Sequence, residues 1–147
     1  MNWKIKKFQE LNKDEIYEIL KTRNEVFVIE QRCFYQECDD KDKNAYHLFA
    51  EENGKIIAYL RILEKGASYD EISIGRVLVS RDYRQKGLAK QMMLKAIEFI
   101  ENELKEQSIR ISAQEYLMDF YKSLGFEKVS DLYLEDGIPH LEMFYTK

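Results

Sequence analysis

The residues with the clearest chemical potential run Val77-Leu78-Val79-Ser80-Arg81-Asp82-Tyr83-Arg84-Gln85-Lys86-Gly87-Leu88-Ala89. An apolar, β-branched run enters a basic turn with one glycine, and the turn opens a stretch of helical periodicity. The first N–H groups of a helix have no partner within it, and the aligned peptide dipoles place about half a positive charge there. Such an end attracts anions, phosphates above all. Gly87 lets the main chain approach a ligand closely, Ala89 keeps the next position open, and Arg84, Lys86 and Lys90 add charge. Other phosphate-cradling patterns do not fit, since neither Gly-x-x-x-x-Gly-Lys-Ser/Thr nor three spaced glycines occurs.

Arg76 is the second unusual residue, a cation inside an otherwise apolar strand, and it needs a partner if buried. Two readings stay open for it: a structural pair with a nearby carboxylate, or a wall residue that reads a substrate carboxylate. Cys33 and Cys38 are too few for a disulfide framework. They are not spaced as a zinc pair, and His47 stands alone beside them, so they read as reduced, structural thiols and no metal is expected.

The elements that must hold these residues follow from periodicity. Trp3 to Phe8 alternates as a strand. Asn12-Lys13-Asp14-Glu15 has the form of a capping box, and Ile16, Ile19, Leu20 and Phe27 carry a helix to about Glu30. The polar stretch Gln36 to Asn44 reads as an exposed loop. Asn53-Gly54 joins strands 46–51 and 55–63 as a hairpin, and 71–79 is a further strand. Ala89, Met93, Ala96, Ile97, Ile100 and Leu104 form the apolar stripe of a long helix. Ile109–Ala113 is a short strand, and Leu117 to Leu124 a short helix stopped by Gly125. Strands near 127–134 and 140–145 follow. This order predicts an α/β fold around a mixed central sheet.

Composition narrows the setting. A chain of 147 residues, 45% hydrophobic and 34% charged, suits one domain, 1–147, without linker or repeat. No apolar run reaches the roughly 20 residues of a membrane-spanning helix, and the basic N-terminus lacks a secretion signal. A cytoplasmic location is therefore expected, with no membrane partner. The net charge of −4 argues against nucleic acid and leans slightly toward a cationic substrate.

Arg84-Gln85-Lys86-Gly87-Leu88-Ala89 resembles the acetyl-CoA signature Arg/Gln-x-x-Gly-x-Gly/Ala of the GCN5-related N-acetyltransferases (GNAT). Phe120-Tyr121-Lys122-Ser123-Leu124-Gly125-Phe126 is similar to the Phe-Tyr-x-x-x-Gly-Phe element of the same family. Val26-Phe27-Val28-Ile29-Glu30-Gln31, the acidic loop with His47-Leu48, Ile74-Gly75-Arg76-Val77, Ala113-Gln114 and the run Tyr133 to His140 resemble its ElaA-like branch. The resemblance spans most of the chain. It implies a GNAT fold in which two parallel strands, here those ending at Val79 and at Ala113, splay apart to admit a pantetheine arm.

The resemblance also implies roles. The strand Val77-Leu78-Val79 would meet pantetheine through its main chain, with hydrogen bonds from Val77 and Val79. Amides from Arg84 to Ala89 (Gln85, Lys86, Gly87 and Leu88 between them) would hold the pyrophosphate. Gln114 would either bond the pantetheine amide or cap the next helix. Tyr121 would be the general acid that protonates the leaving thiolate, although it also falls on an apolar stripe where an aromatic serves the core. Glu30, Asp136 and His140 are candidates for the general base or for contact with the acceptor, because in the family fold their segments flank the acceptor cleft. Among side chains of these types, an imidazole is the one whose ordinary charge change lies nearest neutral pH. The expected activity is acetyl-CoA-dependent N-acetylation of a primary amine, small or peptide-borne, by direct attack in a ternary complex. The alternative is a non-catalytic acyl-CoA sensor. Monomer and homodimer are both open.

Overall fold

A computed structural model of the chain describes residues 1–147. Strand β1 (Asn2–Lys7) pairs antiparallel with β2 (Tyr46–Glu52), which forms the expected hairpin with β3 (Lys55–Leu63) across Asn53-Gly54. Strand β4 (Ser73–Val79) completes this four-stranded antiparallel sheet. The β3–β4 ladder is irregular. Tyr59 faces Leu78, but Arg61 faces Gly75, so Arg76 and Val77 together oppose Leu60. This is a β-bulge, and Arg76 takes φ 53°, a left-handed conformation unusual for a non-glycine residue.

The second sheet is built on β8 (Ile138–Thr146), flanked by β5 (Ser108–Gln114) on one edge and by β6 (Glu127–Lys128) and β7 (Tyr133–Glu135) on the other. All its pairings are antiparallel. The sheets meet at one parallel bridge, Ile72 to Ile109, where Arg110 N–H donates to the Ile72 carbonyl at 2.9 Å. The α/β class is as expected. The parallel component of the sheet is confined to that bridge.

The single strand expected over 127–134 is split into β6 and β7. Between them Ser130 Oγ accepts from the Glu142 N–H at 2.8 Å, so a side chain takes a ladder position and the main chain turns away.

Helix α1 (Lys13–Arg23) begins with the reciprocal cap: Asn12 Oδ1 accepts from Glu15 N–H at 2.8 Å, and Glu15 Oε1 accepts from Asn12 N–H at 2.9 Å. It continues to Glu30 as a wider π-helical coil, Asn24–Glu30. Helix α2 (Leu88–Asn102) buries Leu88, Met92, Met93, Ala96, Ile97 and Ile100 against Leu48, Leu60 and Ile74 of the first sheet and Ile109, Ile111 and Met143 of the second. Each of these Leu, Met and Ile side chains contributes about 1.5–3 kcal/mol on burial. On the other face of the first sheet, Ile19, Val26 and Phe27 pack on Phe49, Tyr59 and Leu78. Strand β3 is covered on both faces and is buried from Ile56 to Leu63. Helix α3 (Met118–Ser123) lies against β6 and adds Tyr121 to the same core.

Candidate active site

The turn between β4 and α2 ends on Gly87, the N-cap of α2, at φ 77°. Space around it is open: a Cβ placed there would meet no atom within 4 Å. No side chain caps the helix, and its first turn holds no acidic residue. The first main-chain bond of the helix is Gln91 N–H to Gly87 O at 3.1 Å, and the N–H groups of Gln85, Lys86, Gly87, Leu88, Ala89 and Lys90 have no main-chain acceptor. A run of undirected donors at an open helix start is a cradle for a polyanion, so the residues present fit a nucleotide pyrophosphate. Arg84 turns away from that opening. Its Nε donates to the Val79 carbonyl at 2.7 Å and its Nη2 to Glu30 Oε2 at 2.9 Å. Lys86 lies over the Tyr83 ring, 5.5 Å from its centroid.

A cleft of about 530 Å³ opens between the sheets, walled by the bulge of β4, the end of β5, the β7–β8 hairpin and the segment after the π-helical coil. Of the sequence-predicted residues it gathers Arg76, Val77, Gln114, Tyr121, Asp136 and His140. Glu30 is elsewhere, held by Arg84. Leu78 points to the opposite face of the sheet, into the α1 side of the core.

Tyr121 of α3 has its ring edge-on to Phe120 and Phe126, with centroids 5.2 and 5.9 Å away. The ring belongs to the core, as one sequence reading expected, and the residue also lines the cleft. Burial pushes the phenol well above its ordinary value, so the hydroxyl is protonated at any physiological pH. His140 pairs in register with Gln114 across β5 and β8. Its Nδ1 donates to the Ile138 carbonyl at 2.7 Å, which leaves Nε2 facing Glu135 Oε2 at 3.3 Å. The ring stacks on Tyr133, whose hydroxyl is bonded to Ser112 Oγ. Gln114 makes no side-chain cap on the turn that follows it, so the capping alternative is not realised. Asp136 sits in the hairpin turn, and its carbonyl is 3.8 Å from the thiol of buried Cys33. Both cysteines are unpaired.

The segment 36–44, expected as an exposed loop, is instead anchored by its acids. Glu37 and Asp42 are buried, because three arginines from the strands and α1 demand partners. Arg23, fully buried, reaches Glu37 Oε2 and Asp42 Oδ1 at 2.7 Å each. Arg61 reaches Asp39 Oδ2 at 2.6 Å and Asp42 Oδ1 at 2.9 Å. Arg76 Nε reaches Glu37 Oε2 at 2.6 Å, and its guanidinium lies 5.9 Å from the Tyr35 ring centroid. Burial alone would raise the Asp39 carboxyl, but the Arg61 hydrogen bonds and the Arg76 charge outweigh it and hold it far below the carboxylate range. Burial and neighbouring Glu37 push the Tyr35 hydroxyl up to about 12. The structural reading of Arg76 is thus realised, and the residue still lines the cleft. Arg61, Tyr35, Asp39, Lys41, Tyr69, Ser112 and Glu135 also line it or contact its walls and were missed in the sequence. Arg61 had the same signal as Arg76, a cation in an apolar strand, and the acidic segment was its complement.

A family profile described as Acetyltransferase (GNAT) domain matches residues 9–147. The UPF0039 protein of Schizosaccharomyces pombe is 42% identical over 140 residues, 94% of this chain and 92% of that one. The crystal structure of an acyl-CoA N-acyltransferase from Pseudomonas aeruginosa superposes with a TM-score of 0.94 at 38% identity, over 99% of both chains. The chain belongs to the GNAT acetyltransferase family. Within it the similarity to ElaA of Escherichia coli is extensive, with a TM-score of 0.92 and 34% identity over 99% of both chains.

Proposed function

We propose that this chain is an acetyl-CoA-dependent N-acetyltransferase, acting as one domain over 1–147 and acetylating a primary amine by direct attack within a ternary complex. The observation that carries the reading is the run of acceptor-free N–H groups from Gln85 to Lys90, at an open helix start that follows β4, the strand whose Val77 lines the cleft together with Tyr121. Those donors hold the pyrophosphate of the acyl donor. The pantetheine arm then enters between β4 and β5, which pair only at the Ile72–Ile109 bridge, and meets the main chain of Val77 and Val79 and the Gln114 side chain.

The acceptor amine must arrive as a free base, because an ammonium has no lone pair to attack with. His140 and Glu135 take its proton: Nδ1 of His140 is committed to the Ile138 carbonyl, so Nε2 is the nitrogen that accepts. The amine nitrogen then bonds to the thioester carbonyl carbon and the carbon–sulfur bond breaks. Tyr121 supplies the proton that the departing sulfur needs. The phenol is a weak acid in this setting, but a thiolate released against the same buried ring is a correspondingly strong base. Glu30 has no part in proton transfer, since Arg84 holds it outside the cleft.

Thiol release from acetyl-CoA in the presence of an amine panel, followed by mass analysis of the amine, tests the reading. Conversion of one amine to its N-acetyl derivative, with one acetyl in place of one hydrogen, is the expected result. Tight acetyl-CoA binding with release no faster than spontaneous hydrolysis for every amine would overturn it in favour of a sensor.

A further inference from the structure

The charges that line the cleft are sorted by sheet. From the first sheet and its loops come three cations, Lys41, Arg61 and Arg76, with one acid, Asp39; from the β7–β8 hairpin of the second come the acids Glu135 and Asp136 alone. On the first side, Arg23, Arg61 and Arg76 are matched by Glu37, Asp39 and Asp42. Lys41 is left over. Its Nζ donates to Ser68 Oγ at 2.7 Å, a neutral partner, so this wall keeps one uncompensated positive charge. Arg76 spends Nε on Glu37 and Nη2 on Glu37 and Asp39, and no acceptor in the protein engages its Nη1. On the hairpin side Glu135 faces His140 at 3.3 Å, and the Asp136 charge is felt at the Tyr35 hydroxyl.

An acceptor must place its reacting amine beside His140 and Tyr121, on the acidic side, where an ammonium is attracted and can lose its proton. The remainder of the molecule then extends toward Lys41, Arg76, Ser68 and Tyr69. That wall offers cations and hydrogen-bond donors, and it disfavours a second ammonium. We infer that the acceptor is an amino acid, with its amine at the His140–Glu135–Asp136 side and its carboxylate received by Lys41 and the free Nη1 of Arg76. The cleft volume of about 530 Å³ must also admit the end of the acyl donor, which leaves room for a small molecule. The whole-chain charge leans toward cationic acceptors, but the local charges decide recognition, and here they are dipolar.

The inference rests on the proposed acetyl transfer for the identity of the reacting end, and it specifies the other end independently. The bond changes are those already given: N–C forms, C–S breaks, the amine proton goes to the His140–Glu135 pair and the Tyr121 proton to sulfur.

The test titrates CoA-saturated protein by calorimetry with the standard amino acids and with the matching amines that lack the carboxylate, while thiol release from acetyl-CoA is followed in parallel. At least one amino acid should bind at least tenfold more tightly than its decarboxylated amine, and Lys41→Met should reduce that ratio to about threefold or less, with CoA affinity as the control for folding. Amines without a carboxylate that bind as well as the amino acids, or a ratio that Lys41→Met leaves unchanged, overturn the inference, as does a lack of binding by both classes. Carboxylate-dependent binding without any thiol release would uphold the ligand class and overturn acetyl transfer. Turnover restricted to amines without a carboxylate would do the reverse.

Discussion

Arg76 Nε lies 2.6 Å from Oε2 of Glu37, and this contact ties the bulge of β4 to the acidic segment that crosses it. The same Glu37 oxygen is 2.7 Å from Arg23 of α1. One carboxylate thus fixes the left-handed residue in β4 and the helix beneath it, and with them the wall of the cleft.

Removing that carboxylate leaves two guanidinium groups short of a counter-charge in a buried place. Glu37→Ala is expected to cost about 3–5 kcal/mol of stability, the range for breaking one partner of a buried pair. Urea unfolding measures it; a loss below 1 kcal/mol (roughly the value of an exposed pair) would show that the network is not cooperative.

Stability should decline in two stages as pH falls. Burial, aided by the Arg23 and Arg61 charges, lowers the His47 pKa below its ordinary value of about 6.5, against the opposing pull of the Asp42 carbonyl. A lowered histidine pKa means the unfolded chain binds the proton first, so its contribution is present above about 6.5 and is lost as pH falls through the folded value. Asp39 and Asp42 are also lowered, so their contribution is present above about 4 and is lost at still more acid pH. Urea midpoints between pH 7.5 and 3 should fall in both stages, and His47→Gln should remove the upper one alone.

Gly87 has room for a side chain but a backbone angle that side chains resist. Gly87→Ala is predicted to cost about 1–2 kcal/mol from the left-handed conformation alone. Gly87→Glu adds a negative charge at the cradle and should weaken CoA binding at least tenfold beyond the alanine variant, as read by calorimetry. Equal affinities for the two variants would remove the cradle from the account.

For Tyr121→Phe, kcat should fall by about 100-fold or more with little change in the KM for acetyl-CoA, in keeping with loss of a general acid. The midpoint of urea unfolding should stay nearly constant, because the ring and its contacts with Phe120 and Phe126 are retained. A fall in kcat under threefold would assign the phenol to the core alone.

Local rules made most of the fold legible. Asn12 and Glu15 announced their cap, Asn53-Gly54 its turn, and the apolar stripe its helix, because each depends on neighbours in sequence. Even the α2 stripe was incomplete, since Leu88 and Met92 are buried through contacts with both sheets. The split between β6 and β7 was hidden because Ser130 is bonded to Glu142, on another strand. The site followed the same division. The turn at Arg84–Ala89 and Tyr121 sit in short contiguous motifs, whereas Glu37 and Asp39 acquire meaning only when Arg23, Arg61 and Arg76 converge from separate elements. Glu30 was adjacent to the right residues in sequence, yet Arg84 claims it from 54 positions away.

The most direct measurement is the amide NMR spectrum of the folded protein during titration with CoA. The N–H signals of Gln85 to Lys90 should show the largest shifts and saturate together, as donors that gain an acceptor. Signals that stay in place while CoA binds elsewhere, or that never move at any CoA concentration, would contradict the cradle and the acetyl-transfer account built on it.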